Sequence, residues 1–528
     1  MTGAAASGPL DVAVVGGGIA GLAASLQLAS GSGLAWALLE RKARWGGVIR
    51  TERQDGYLLE GGPDCFLASK PGGLSLCRAL GIEDRLVGTI AENRRTFVKR
   101  DGRLHRLPEG ISGLVPSRLR PLMTAPTLSL RGRLRAGLEL FVPRRRDRGE
   151  QSIAAFVTRR FGRETYDWLV EPLLSGIFAG DGDRLSLDAT FPRLIEAERE
   201  HGSVLGQMLR TKLRTKRRTK LRAAIGRGRG VVSGAAGGFV TPRGGLGELV
   251  GRAVERLPSE RLWSGVAVEA LAPTEHGYRL RLDDGRALEA RAVVLAVPAH
   301  AAAPLLQELD SRLAAELEAI QFVATAIVSV GFAAGVVRKP LDGYGYVSPR
   351  AEGGPVVACS CTSNKFPGRA EAGATLFRFF LGRAGREEIA LESDEVIQAV
   401  VRRELREVLG VDTEPEMWRI FRWPRALPQY DLGHLDRLDR IDGRLRALPG
   451  LRLAGASYRG VGIPDCIESG ERAAREAMEL LAPASRPRPA VGPAAATREP
   501  EKREAAAARE LPVRARVDPT RDRAPSAR

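Results

Sequence analysis

Apolar positions come in short blocks along this chain, and their period changes from block to block. Residues 12–15 form a continuous apolar run that ends in Gly16-Gly17-Gly18, after which Leu22, Leu26 and Leu28 recur at helical spacing. The pattern predicts a strand, a tight turn and a helix. Residues 36–39 repeat the strand signal and end in Glu40. Residues 94–107 read as two short strands around Asp101-Gly102, and 149–209 as helical with a break at 175–181. Residues 241–247 open a helix, 262–271 carry the end of a strand, and 278–288 form a hairpin about Asp284-Gly285. Residues 291–298 are apolar enough for a buried parallel strand that rejoins the sheet begun at Leu10. Beyond them, 299–415 mix strands (326–332, 375–381) with a helix near 394–409, the pattern of an inserted domain. A strand at 451–454, a loop at 455–464 and a helix at 465–481, with small residues at Ser469, Gly470, Ala473 and Ala474, complete the periodic part.

The glycines give the first block its chemistry. In Gly16-x-Gly18-x-x-Gly21 the missing side chains permit the turn, admit a pyrophosphate to backbone N–H groups and let the helix pack closely on the strand. The helix N-terminus adds positive potential. Glu40 stands at about the interval where an acidic side chain accepts from an adenosine ribose hydroxyl, although alone it reads equally as a solvated strand end. Gly46-Gly47 is a second bare segment, so a dinucleotide site is expected. Gly61-Gly62-Pro63 can lay backbone against a flat ring with Phe66 as a wall, and Gly460-Val461-Gly462 offers N–H groups before the last helix. Trp423 either flanks that cavity or is an ordinary buried tryptophan, and 175–181 either line a cavity or make an interhelix turn.

Composition narrows the setting. With 528 residues, 44% of them hydrophobic, two or three domains are expected. No apolar run reaches the roughly 20 residues of a membrane span, and no charged, apolar and small-residue leader opens the chain. The five cysteines lack paired zinc spacing and are expected to be reduced. Much of the net charge of +18 is concentrated in 209–229, where ten basic residues occur without an acid. That segment reads as a solvated insertion or as one drawn to an anionic membrane; without interleaved aromatics, nucleic acid is the weakest fit. Residues 482–528, poor in large apolar side chains, are expected to be disordered.

Taken together, Gly16–Gly21, Gly46-Gly47, Gly62-Pro63-Asp64-Cys65-Phe66, residues 175–181, Phe421-Arg422-Trp423-Pro424 and the stretch from Tyr458 to Ile467 resemble the oxygen-dependent protoporphyrinogen oxidases, within the wider amine-oxidase group of FAD enzymes. The resemblance is collinear from about Leu10 to Leu481. It implies an α/β fold in which a Rossmann-like FAD-binding domain (1–95, 236–298 and 420–481) carries an inserted α+β substrate domain (299–419) and a helical membrane-contacting part (96–235). The implied activity is oxidation of protoporphyrinogen IX to protoporphyrin IX in haem synthesis, with dioxygen as acceptor and hydrogen peroxide as product. Coproporphyrinogen III is the alternative substrate; another amine oxidase or desaturase, or a basic nucleic-acid-binding protein on a degenerate fold, is more distant.

Carried over by motif, the implied FAD contacts are Gly16, Gly17, Gly18, Ile19, Ala20, Gly21, Glu40, Arg41, Trp45, Gly46, Gly47, Gly62, Pro63, Asp64, Cys65, Val268, Trp423, Val461, Gly462 and Ile463. Trp45 departs from the smaller aliphatic residue expected before Gly46, and Asp64-Cys65 from the Asn-Ser common there. No metal is called for. No side chain is assigned as general base, since the five histidines form no pair. A porphyrinogen, dioxygen and an anionic membrane are the implied partners, with a homodimer also admitted and nucleic acid not. The implied location is cytoplasmic, peripheral on the membrane.

Overall fold

The computed structural model describes residues 9–31, 33–108, 111–112, 115–116, 119–147, 149–207, 238–338 and 341–482. The chain divides into two units, Met1–Leu481 and Ala482–Arg528. The expectations for the basic segment 209–229 and for the tail beyond Ala482 lie outside the described residues.

Strand Leu10–Val15 pairs in parallel with Trp36–Glu40 on one side and with Ala287–Leu295 on the other. The first apolar block and the one at 291–298 therefore meet, as their patterns predict. Leu262–Ser264 extends the sheet in parallel beyond Trp36–Glu40, and Leu451–Leu453 pairs in parallel with the end of Ala287–Leu295. Gly277–Leu282 and Val268–Thr274 continue it antiparallel. Alternation sorts the side chains between two cores. Val12, Val14, Trp36 and Leu38 face the helices Ile19–Ala29 and Ile463–Leu481, while Ala13, Val15, Ala37 and Leu39 face Ala299–Leu306 and Ser311–Glu318. Burying each larger side chain contributes roughly 1.5–3 kcal/mol. Small residues let the first and last helices touch, since a Cβ added at Gly470 would stand 2.0 Å from the Ala20 carbonyl oxygen.

A second sheet runs in the order Met417–Pro428, Phe322–Phe332, Thr375–Leu381, Val356–Cys361, Gly345–Val347, Thr96–Arg100, Arg103–Arg106. Its membership shifts the expected boundaries. Strand Met417–Pro428 crosses the expected division at 419/420 because it pairs along its length with Phe322–Phe332. The hairpin at 96–106 joins the same sheet through Gly345–Val347. The two helices after residue 298 instead pack on the first sheet.

The helical part is built on Ile153–Phe161, Glu171–Phe178 and Pro192–His201. The break expected at 175–181 starts later, because Ser175 to Phe178 complete a helix that ends where Ala179 turns left-handed at φ 49°. Arg160 is fully buried, donating to Glu139 and, at 2.9 Å, to Glu198. Glu139 also accepts from Ser203 Oγ at 2.6 Å and from the Val204 N–H at 3.0 Å. This network anchors the segment carrying Leu130, Leu134, Leu138 and Phe141, which are 71%, 56%, 53% and 80% exposed. None of the described helices is long and apolar enough to cross a membrane. All five cysteines are free.

Candidate functional site

Helix Ile19–Ala29 starts at Gly18 without a side-chain cap and without an acidic residue in its first turn, so its leading N–H groups are available to an anion. The glycines before it have distinct duties. Gly16 takes φ +110°, and a Cβ there would lie 2.7 Å from the Ala296 carbonyl oxygen. A Cβ at Gly21 would lie 1.9 Å from the Gly16 carbonyl oxygen, so this glycine sets the helix-to-strand approach. At Gly18 a Cβ would meet nothing within 4 Å. That bare position opens into space where a pyrophosphate can sit.

Trp45 explains Gly17. A Cβ at position 17 would stand 2.5 Å from Cε3 of the Trp45 ring, so the unexpectedly large side chain is accommodated by a glycine opposite. Gly46 donates its N–H to the Gly17 carbonyl at 2.8 Å, which places the second glycine segment beside the first. Arg44, which the motif reading passes over, holds this loop by donating to the carbonyls of Gly47 at 2.6 Å and Ile49 at 3.2 Å. Only its contacts reveal it, because an arginine in a basic chain carries no positional signal.

Glu40 ends its strand beside the glycine turn and accepts from the N–H groups of Gly17 at 2.7 Å and Lys42 at 2.9 Å. A carboxylate has about four acceptor sites, so capacity remains for ribose hydroxyls. The Val266 N–H bonds the Glu40 carbonyl at 3.0 Å, bringing the start of strand Val268–Thr274 alongside. Arg41 is exposed.

A third group assembles around Gly61-Gly62. A Cβ at Gly62 would lie 1.9 Å from the Val48 carbonyl oxygen, and Trp423 Nε1 donates to the Gly61 carbonyl at 2.6 Å. The tryptophan thus reaches this segment from the second sheet. Asp64 accepts from Lys365 Nζ at 2.8 Å. Although burial works against ionisation, Lys365 and Arg378 hold the Asp64 carboxyl well below the usual range. Burial pushes the Cys65 thiol far up, and the thiol donates to Asp64 Oδ1 at 3.0 Å. Val461 packs toward the helical part, Gly462 donates to Asp465 at 3.2 Å, and Ile463 begins the last helix, two residues before the expected Asp465. Pro63 is half-buried between these neighbours.

Glu60, absent from the sequence reading, caps a helix from a distance by accepting from the Leu246 N–H at 2.8 Å and Thr51 Oγ1 at 2.7 Å. Burial raises its pKa to about 7 from the usual 4.5. The folded protein therefore binds more protons than the unfolded chain between about pH 4.5 and 7, and this group's contribution to stability falls as pH rises across that window. Glu60→Gln is expected to remove that slope, on the order of 3 kcal/mol over the window. Urea midpoints at pH 5 and pH 7 check it, and parallel losses in wild type and variant would exclude the assignment.

Residues 19–478 match the flavin-containing amine oxidoreductases. The chain belongs to that family. A coproporphyrinogen III oxidase of Bacillus subtilis (strain 168) is 35% identical over 90% of this chain and 99% of its own length. A chloroplastic protoporphyrinogen oxidase of Oryza sativa subsp. japonica is 30% identical over 89% and 88%. A solved structure from Exiguobacterium sp. 255-15 superimposes with a TM-score of 0.76 at 30% identity, covering 89% of this chain and 98% of that one. This amine oxidoreductase family member is accordingly an oxidoreductase with FAD as cofactor. Its residues fit the group: an uncapped helix N-terminus facing open space at Gly18, a carboxylate at Glu40, and bare backbone at Gly46, Gly47 and Gly62.

Proposed function

We propose that this flavoprotein oxidises a porphyrinogen to the porphyrin in haem synthesis, with coproporphyrinogen III as its preferred substrate, dioxygen as acceptor and hydrogen peroxide as product. The observation that carries the reading is near-complete coverage, at 35% identity, of relatives named coproporphyrinogen III oxidase from both Bacillus subtilis (strain 168) and Propionibacterium freudenreichii subsp. freudenreichii. Protoporphyrinogen IX, placed first by the sequence resemblance, is the second reading, supported by protoporphyrinogen oxidases at 30–32% identity.

Bound FAD supplies a two-electron acceptor. The chain supplies position. Glycines 16–21 and the N-terminus of Ile19–Ala29 would hold the pyrophosphate, Glu40 the ribose, and Gly46-Gly47, Gly62–Cys65 and Trp423 the ring end. Val461–Ile463, at the start of the last helix, whose first turn carries Asp465 against the Gly462 N–H, would face the same end. The histidines near these elements have structural roles: His434 stacks on Tyr430 and bonds the Tyr458 carbonyl at 2.8 Å, and His300 packs edge-on against Phe322. The deciding experiment compares the growth of porphyrin fluorescence in air with each porphyrinogen against spontaneous oxidation, with peroxide measured in parallel. Faster turnover of coproporphyrinogen III is expected. Preference for protoporphyrinogen IX selects the second reading, and no enhancement with either excludes both.

A membrane role is part of the same proposal. Leu130, Leu134, Leu138 and Phe141 recur at helical spacing and share one uncovered face, flanked by exposed Arg131, Arg144 and Arg146. Apolar side chains between exposed guanidinium groups are complementary to an anionic lipid surface, and the protein would sit peripherally on the cytoplasmic side. Wild-type protein is expected to sediment with phosphatidylglycerol vesicles at low salt, and Leu134→Ser/Phe141→Ser to lose at least tenfold in partitioning. Equal sedimentation of the two proteins, or none of the wild type, would exclude this face.

A further inference from the structure

The segment Gly61–Cys65 rests on an unusual concentration of buried positive charge. Arg378, from the middle of strand Thr375–Leu381, donates Nη2 to the Gly62 carbonyl and brings Nη1 to 3.6 Å from Asp64. Lys365 Nζ donates to the same carboxylate oxygen, Asp64 Oδ2, at 2.8 Å and lies 3.7 Å from Cys65 Sγ. Arg369, also buried, donates to Thr241 Oγ1 at 2.8 Å and stands 4.0 Å from Glu60. Against these three cations the neighbourhood sets one fully ionised carboxylate, Asp64, and Glu60, which is partly protonated near neutrality.

The surplus is left unanswered by hydrogen bonding as well as by charge. Arg378 Nε and both Nε and Nη1 of Arg369 have no hydrogen-bond partner although these side chains are almost wholly buried. Buried guanidinium donors left without an acceptor are costly. Gly62, whose carbonyl Arg378 holds, is packed against the Val48 carbonyl beyond the second glycine pair, and Trp423 fixes Gly61 next to it. The cations therefore lie under the backbone that the family reading assigns to the flavin ring.

We propose that Lys365 and Arg378, oriented by Asp64, stabilise negative charge on the flavin ring of the bound cofactor and so raise its reduction potential. The inference rests on the FAD reading and adds to it: the cations make the ring a better two-electron acceptor, and Asp64 moderates them. Removing a cation and removing the anion must then move the ring's electron affinity in opposite directions. A purely structural role for the cluster would move it the same way in both variants or not at all.

The test uses purified holoenzyme and sulfite, a nucleophile whose addition leaves negative charge on the ring, with the midpoint potential of bound FAD measured in parallel. Lys365→Met is expected to weaken sulfite binding at least tenfold and lower the potential. Asp64→Asn is expected to tighten sulfite binding and raise the potential. Lys365→Arg, which keeps the charge, is expected to stay within about threefold of wild type, and it carries the comparison if Lys365→Met does not fold, through a double variant with Asp64→Asn that still shows tightened binding. Sulfite affinity unchanged by the charge variants, or shifted in the same direction by both, overturns the inference while leaving the FAD assignment standing. Wild-type protein unable to bind FAD overturns both.

Discussion

Gly18→Ala is expected to give a folded but colourless protein. A methyl group at this position meets no protein atom within 4 Å, so the polypeptide has no reason to lose stability beyond a few tenths of a kcal/mol. The methyl instead projects into the space before an uncapped helix N-terminus, where a pyrophosphate must come within hydrogen-bond distance of backbone N–H groups. A loss of about 100-fold in FAD affinity, about 2.7 kcal/mol, is expected. Gly21→Ala is the contrasting variant. Its added Cβ would fall 1.9 Å from the Gly16 carbonyl oxygen, so both the helix-strand contact and thermal stability should suffer. Flavin absorbance after gel filtration and a thermal melt of the apoprotein separate the two. A Gly18→Ala protein that keeps wild-type FAD content would show that the phosphates do not approach at this turn.

Arg160→Leu is expected to be the most destabilising single change in the helical part, by about 3–5 kcal/mol. Arg160 and Glu139 are both fully buried, and the guanidinium also meets Glu198 at 2.9 Å and the Gly202 carbonyl at 2.9 Å. Taking it away leaves Glu139 buried without a counter-charge, while Glu198 keeps its ion pair with Arg159 at 2.8 Å, and leucine recovers only part of the lost packing. Urea unfolding monitored by tryptophan fluorescence measures the change. A loss below about 1 kcal/mol would mean that water reaches the carboxylates and that the network is not the anchor of residues 130–141.

The sequence made the first sheet readable because its strands are buried on both faces: uninterrupted apolar runs at 12–15, 36–39 and 292–295 have few other uses. Thr375–Leu381 and Asp394–Leu409 were equally clear from length and period. The placement of strand Met417–Pro428 was not, since Phe421-Arg422-Trp423-Pro424 shows its motif but not its partner, and pairing with Phe322–Phe332 is a long-range property. Within the site, glycines advertise themselves because so few conformations and close approaches require them. Glu60, Lys365, Arg369 and Arg378 do not. In a chain with 81 Lys and Arg and 63 Asp and Glu, ordinary charged residues become visible only when the fold removes them from water. The same limit applies to Asp64, whose departure from the resembling family gained a meaning only through the cations that surround it.

The contact between Gly470 and the Ala20 carbonyl has a consequence for the order of events during synthesis. The two helices that meet there are separated by nearly the whole chain, and a ribosome adding roughly 5–20 residues per second needs about 20 seconds to a minute and a half to travel between them. For that interval the glycine turn has left the exit tunnel but lacks the helix that backs it. Flavin capture is therefore a late event, and a nascent chain stalled before residue 463 should be colourless even though every residue of the first motif is already present.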